Sequence, residues 1–128
     1  MSLKDNLHVM VVDDMSTSRG LIIMALESIG LVNIDFTKDG AEAFRAIAAK
    51  PVHLVISDFN MPQMDGLQLL QSLRSYAQTK AIGFILVTGR ADADLINKGR
   101  ALGMNNFIKK PFTPEGMKGC IEAVVGKL

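Results

Sequence analysis

Only one cysteine, Cys120, occurs in the 128 residues, so no internal disulfide can staple the chain, and a lone thiol fits a reducing, cytoplasmic setting. No apolar run approaches the ~20 residues that a membrane-spanning helix needs. The opening Met1-Ser2-Leu3-Lys4-Asp5-Asn6 is too polar for a signal peptide. An excess of either charge is missing too. The net charge of +1 leaves no basic surplus for nucleic acid, and there is no acidic tail. Linkers, repeats and low-complexity stretches are also lacking. What is present, 48% apolar and 21% charged residues, describes an ordinary globule long enough to bury a real core. We therefore expect one domain over residues 1–128, with its core from about residue 7 to about residue 127.

Strand-like and helix-like segments alternate five times. The strand patterns are His8–Val12, Asn33–Thr37, Leu54–Ser57, Gly83–Val87 and Phe107–Lys109. The first helix starts near Ser16, carries Leu21, Ile22, Ala25, Leu26 and Ile29 at helical spacing, and has Gly30 as its C-cap. Ala41–Ala49 is a short second helix, stopped before Pro51. Asp65-Gly66 opens a third, with Leu67, Leu69, Leu70 and Leu73. Leu95, Gly99 and Leu102 mark one face of a fourth, ended by Gly103. Thr113 as N-cap and Pro114 at the first helical position begin the fifth. Its apolar stripe is Met117, Cys120, Ile121, Val124, Val125 and Leu128. Strands one, three and four are apolar on both faces, as in a parallel sheet covered by helices. Right-handed crossovers then give a doubly wound α/β sandwich of three layers.

On such a sheet, ligands bind beyond the carboxyl ends of the strands. Asp13, Asp14, Asp58, Thr88 and Lys110 all fall at strand ends. With the strands side by side, three carboxylates and one ammonium converge. Carboxylates at that density repel one another unless a hard divalent cation, most simply Mg²⁺, neutralises them. Lys110 is placed to pair with an incoming anion, and the set suggests phosphoryl chemistry with one Asp as acceptor. Taken singly, an Asp at a strand end is more often a helix N-cap, and Thr88 more often a turn residue. The combination outweighs those readings. His8 and His53 lie at strand starts and read as structural. Cys120 belongs to an apolar stripe and reads as inert.

Four stretches give the chain a resemblance to a known family. Val12-Asp-Asp-Met-Ser-Thr-Ser-Arg19, Ser57-Asp-Phe-Asn-Met-Pro-Gln-Met-Asp-Gly66, Val87-Thr-Gly89 and Lys110-Pro-Phe-Thr113 resemble the receiver domain of two-component response regulators, most of all its single-domain chemotaxis members. The resemblance implies a flavodoxin-like (βα)5 fold with strand order 2-1-3-4-5. It also implies that Asp58 accepts the phosphoryl group. Asp13 and Asp14 would hold Mg²⁺, directly or through water, with Asp58 and the backbone carbonyl of Asn60. Thr88 would donate its hydroxyl to the phosphoryl group and Lys110 would pair with it. Lys110-Pro111 is a candidate cis bond.

The same resemblance implies a switch that assists its own phosphorylation and dephosphorylation, not a turnover enzyme. The donor would be a sensor histidine kinase of the chemotaxis type. A protein target, such as the flagellar switch, would read the result, and a phosphatase is a further candidate partner. We expect a monomer with no nucleic-acid partner and no membrane insertion. Output in the family often uses the fourth helix, fifth strand and fifth helix. Ile96 is either exposed there or a widening of the core stripe. Phe107 stands where the chemotaxis members usually carry a switch tyrosine, so a ring remains but no hydroxyl. Gly89 and Arg90 replace the usual Ala and acidic residue, and Asn60 and Arg90 occupy positions that tune dephosphorylation. The alternatives are a phosphorelay carrier and a receiver from a larger regulator. More distant are a haloacid dehalogenase-type phosphatase, whose Asp-x-Asp motif Asp13-Asp14-Met15 lacks, and a flavodoxin, whose phosphate loop is replaced by carboxylates.

Overall fold

Along a strand successive side chains point to opposite faces, and here both faces are apolar. Val9 and Val11 point to one side of the first strand, Met10 and Val12 to the other, and all four are buried. Such a strand is stable only between two layers of helix. The computed structural model, which describes residues 3–90 and 92–128, supplies both layers. The strands are β1 (His8–Val12), β2 (Asn33–Thr37), β3 (Leu54–Asp58), β4 (Gly83–Thr88) and β5 (Asn106–Lys109). All neighbours are parallel, in the order β2-β1-β3-β4-β5. The strand order implied by the resemblance is the order found.

The helices are α1 (Leu3–Asn6), α2 (Ser16–Ser28), α3 (Gly40–Ala49), α4 (Gly66–Ser75), α5 (Ala93–Ala101) and α6 (Pro114–Val125). The sequence pattern did not foresee α1, a single turn with no buried residue. The helices anticipated as first to fifth are α2 to α6. On one face of the sheet, Val9, Val11, Leu54, Ile56, Ile85 and Val87 pack with Ile22 and Leu26 of α2 and Met117 and Ile121 of α6. On the other, Met10, Val12, Val55, Phe84 and Leu86 pack with residues of α3, α4 and α5.

Local chemistry sets the helix ends. Asp65 caps α4 through a full capping box with Gln68, and the Thr113 hydroxyl accepts from the Gly116 N–H at the start of α6. Gly30, with φ of 97°, follows the C-cap of α2 instead of forming it; that cap is Ile29. Leu21 also departs from its expected core position and is 57% exposed. Helical spacing cannot decide between adjacent apolar residues, and the buried arc of α2 runs through Ile22, Ala25 and Leu26. Among the described residues, no helix is long and apolar enough to cross a membrane.

Candidate functional site

The sheet register brings the strand ends level. Val12 pairs with Ser57, Asp58 with Val87, and Thr88 with Lys109. Asp13 and Lys110 therefore leave the sheet on either side of Asp58. One ligand oxygen from each of Asp13, Asp14 and Asp58 lies within 4.8 Å of the others, so the three carboxylates anticipated from sequence meet.

Their surroundings differ. Asp13 is fully buried. Its backbone N–H donates to the Thr37 carbonyl at 3.2 Å, its Oδ1 accepts the Met15 N–H at 3.0 Å, and its carbonyl accepts Arg19 Nη1 at 3.0 Å. Its Oδ2 is buried with no hydrogen-bond partner. A buried acceptor left bare costs free energy, and a cation among the carboxylates would satisfy it. The donor set therefore fits a hard divalent ion. Asp14 is exposed.

Asp58 is buried, and its Oδ1 lies 2.9 Å from Lys110 Nζ. Burial pushes its carboxyl above the usual range, the Lys110 hydrogen bond and charge pull it back, and the charges of Asp13 and Asp14 push it up again. The net direction is upward. Behind Asp58, the backbone of α4 approaches closely: a Cβ on Gly66 would stand 2.6 Å from the Asp58 carbonyl oxygen and 2.7 Å from Leu86 Cδ1. No side chain larger than hydrogen fits there without a shift. Asn60 lies two residues beyond Asp58 in an exposed loop.

Thr88 is buried at the end of β4. Its hydroxyl donates to the Arg90 carbonyl and accepts the Arg90 N–H, both at 3.0 Å. Lys110 follows β5, and the Lys110-Pro111 bond is cis. Its ammonium also donates to Ser18 Oγ at 2.9 Å. Sequence reasoning gave Ser18 and Arg19 no role. Arg19, besides holding the Asp13 carbonyl, stands 4.8 Å over the ring of Phe36. Beside the site, a groove of about 670 Å³ is lined by Ser18, Leu21, Met24, Lys110 and Phe112, among others.

Phe107 and Ile96 lie away from the carboxylates. Both are half-buried and pack against the cluster on the α3–α5 face. His8 and His53 sit at the opposite end of the sheet, where the His8 ring is 2.6 Å from Asp35 and the His53 ring accepts the His8 N–H. Burial pushes the Cys120 thiol up to about 11, in keeping with an unreactive packing residue.

A doubly wound sheet with acidic groups and a lysine at its carboxyl edge is the architecture of receiver proteins. In Vibrio cholerae the chemotaxis protein CheY4, crystallised at low pH, has that fold: it superposes with a TM-score of 0.86 at 27% identity, over 92% of this chain and 98% of its own. The Response regulator receiver domain family matches residues 9–122, and the chain belongs to that family. A probable chemotaxis protein CheY of Rhizobium etli is 44% identical over 100% of this chain and 99% of its own length. Chemotaxis protein CheY1 of Helicobacter pylori is 35% identical over 94% of this chain and 98% of its own. The chain is thus a receiver of the CheY type, in a family of phosphorylation-activated signalling proteins.

Proposed function

We propose that Asp58 is the phospho-acceptor and that the whole chain works as one receiver unit, taking its phosphoryl group from a sensor histidine kinase and changing its affinity for a protein target in chemotaxis. The contact between Lys110 and Asp58, within a trio of strand-end carboxylates, is the observation that carries this reading. Asp13, Asp14, Asp58 and the Asn60 carbonyl would hold Mg²⁺, which would neutralise the acidic cluster and the charge of the entering group.

The protein's own residues do the rest. An Asp58 carboxylate oxygen attacks phosphorus in line, the bond from phosphorus to the donor nitrogen breaks, and an acyl phosphate forms. Buried Asp13 keeps the site rigid through its three hydrogen bonds. Lys110 starts on the carboxylate and redirects that hydrogen bond to a phosphoryl oxygen, keeping its proton. Thr88 gives up the Arg90 carbonyl to donate to the same group. Movement of Thr88 vacates space that the Phe107 ring can enter, and the surface around Ile96, β5 and α6 changes. Chemotaxis is favoured over a phosphorelay carrier by the full-length CheY relatives. The flagellar switch is the target this reading names, with the protein acting as a monomer.

Acetyl phosphate supplies the test. With Mg²⁺ it should add one phosphoryl mass to the wild type and none to Asp58→Asn, since an amide is not a competent nucleophile. Asp13→Asn should weaken Mg²⁺ binding at least about tenfold, roughly 1.4 kcal/mol, in a calorimetric titration. Phosphorylation of Asp58→Asn would overturn the acceptor assignment.

A further inference from the structure

Lys110 Nζ touches two groups from distant parts of the chain, Asp58 Oδ1 and Ser18 Oγ, each at 2.9 Å. A lysine ammonium has three N–H donors on a flexible stem. Here the stem is partly open to water, with a side-chain exposure of 32%. Asp58 is itself the reacting group, so its contact with the ammonium changes as the phosphoryl group enters. Ser18 is an anchor that the reaction does not alter. It stands in the first turn of α2, a helix fixed to the sheet by fully buried Ile22 and Leu26. One donor is thus held on Ser18, and the others are free to shift from Asp58 to an incoming anion.

We propose that Ser18 is a positioning residue for phosphoryl transfer: its hydroxyl holds Lys110 at the mouth of the site, so that the ammonium meets the entering group without a search. The proposal rests on the reading of Asp58 as acceptor. Ser18 touches neither the carboxylates nor the phosphoryl group in this role, and acts only through Lys110.

The test measures the rate of phosphorylation by acetyl phosphate, with Mg²⁺ affinity titrated in parallel. Loss of a hydrogen bond to a charged group should slow Ser18→Ala roughly tenfold while leaving Mg²⁺ affinity unchanged. Ser18→Thr, which keeps a hydroxyl, should recover most of the rate. Thr17→Ala, an exposed neighbour, should match the wild type. The discriminating arm is a double-mutant cycle: in a Lys110→Ala background, Ser18→Ala should have no further effect. A wild-type rate in Ser18→Ala, or an equal slowing with and without Lys110, would overturn the positioning role while leaving Asp58 as acceptor. Absence of any phosphorylation at Asp58 in the wild type would overturn both.

Discussion

The Thr88 hydroxyl is tied to the backbone of Arg90 at both its donor and its acceptor side, each at 3.0 Å. A hydroxyl has one proton to give. Thr88 therefore cannot donate to a phosphoryl oxygen and to the Arg90 carbonyl at once, so a phosphoryl group at Asp58 would compete with Arg90 for that proton.

The first prediction follows from it. Beryllofluoride with Mg²⁺ should shift NMR signals near Asp58 and Thr88 and also at Ile96 and Phe107. In Thr88→Ala the near-site shifts should persist while the distal ones shrink. Conversion from 1:99 to 99:1 needs about 5.5 kcal/mol of differential stabilisation, so a partial shift in the wild type is compatible with the mechanism. Equally large distal shifts without the hydroxyl would rule out the route from Thr88 to Phe107.

A second prediction concerns pH. The Asp58 carboxyl titrates above its ordinary value of 3.8 because burial outweighs the help from Lys110. A carboxyl raised by folding favours the protonated native state. Its contribution is fully present below the unfolded value and is lost as pH rises through the folded one. At neutral pH, ionised Asp58 therefore subtracts from stability, and metal-free Asp58→Asn should melt higher than the wild type. The gap should narrow on acidification toward 3.8, and saturating Mg²⁺ should narrow it from the other direction by stabilising the wild type. A lower melting temperature for metal-free Asp58→Asn at neutral pH would contradict this sign.

Gly66 provides a third. Its missing side chain is what lets α4 lie against the Asp58 carbonyl, and a Cβ would come within 2.6 Å of that oxygen. Gly66→Ala should cost about 1–3 kcal/mol by overpacking, read by urea denaturation. By moving the end of β3 it should also weaken Mg²⁺ binding. Gly20→Ala, inside α2 where a Cβ meets nothing within 4 Å, should leave Mg²⁺ binding unchanged and raise stability by up to about 1 kcal/mol.

Much of this site was legible before folding was considered. Short apolar runs ending in Asp13, Asp58, Thr88 and Lys110 place those residues at strand ends, and parallel topology puts strand ends at one edge. Pairings set by side-chain direction were not legible. Nothing in one sequence joins Ser18 to Lys110, 92 residues apart, or tells that the Thr88 hydroxyl turns to Arg90. The exposure of Phe36, 52% on an edge strand, makes sense only once Arg19 is seen above its ring. Leu21 was placed in the core because Leu21 and Ile22 differ by only about 100° around a helix, a resolution that spacing alone does not have.

The sheet itself is a partition. Ile96 and Phe107 pack with the cluster on one side, whereas Ser18 and Lys110 border a groove flanked by Ala25 and Phe112, which belong to the other. Because α6 packs with α2 on that second side, an output surface of α5, β5 and α6 would wrap round the β5 edge of the sheet and end beside the groove, whose lining includes Pro114 of α6. A donor seated over α2 and a target on that surface would then compete for the flank of α6.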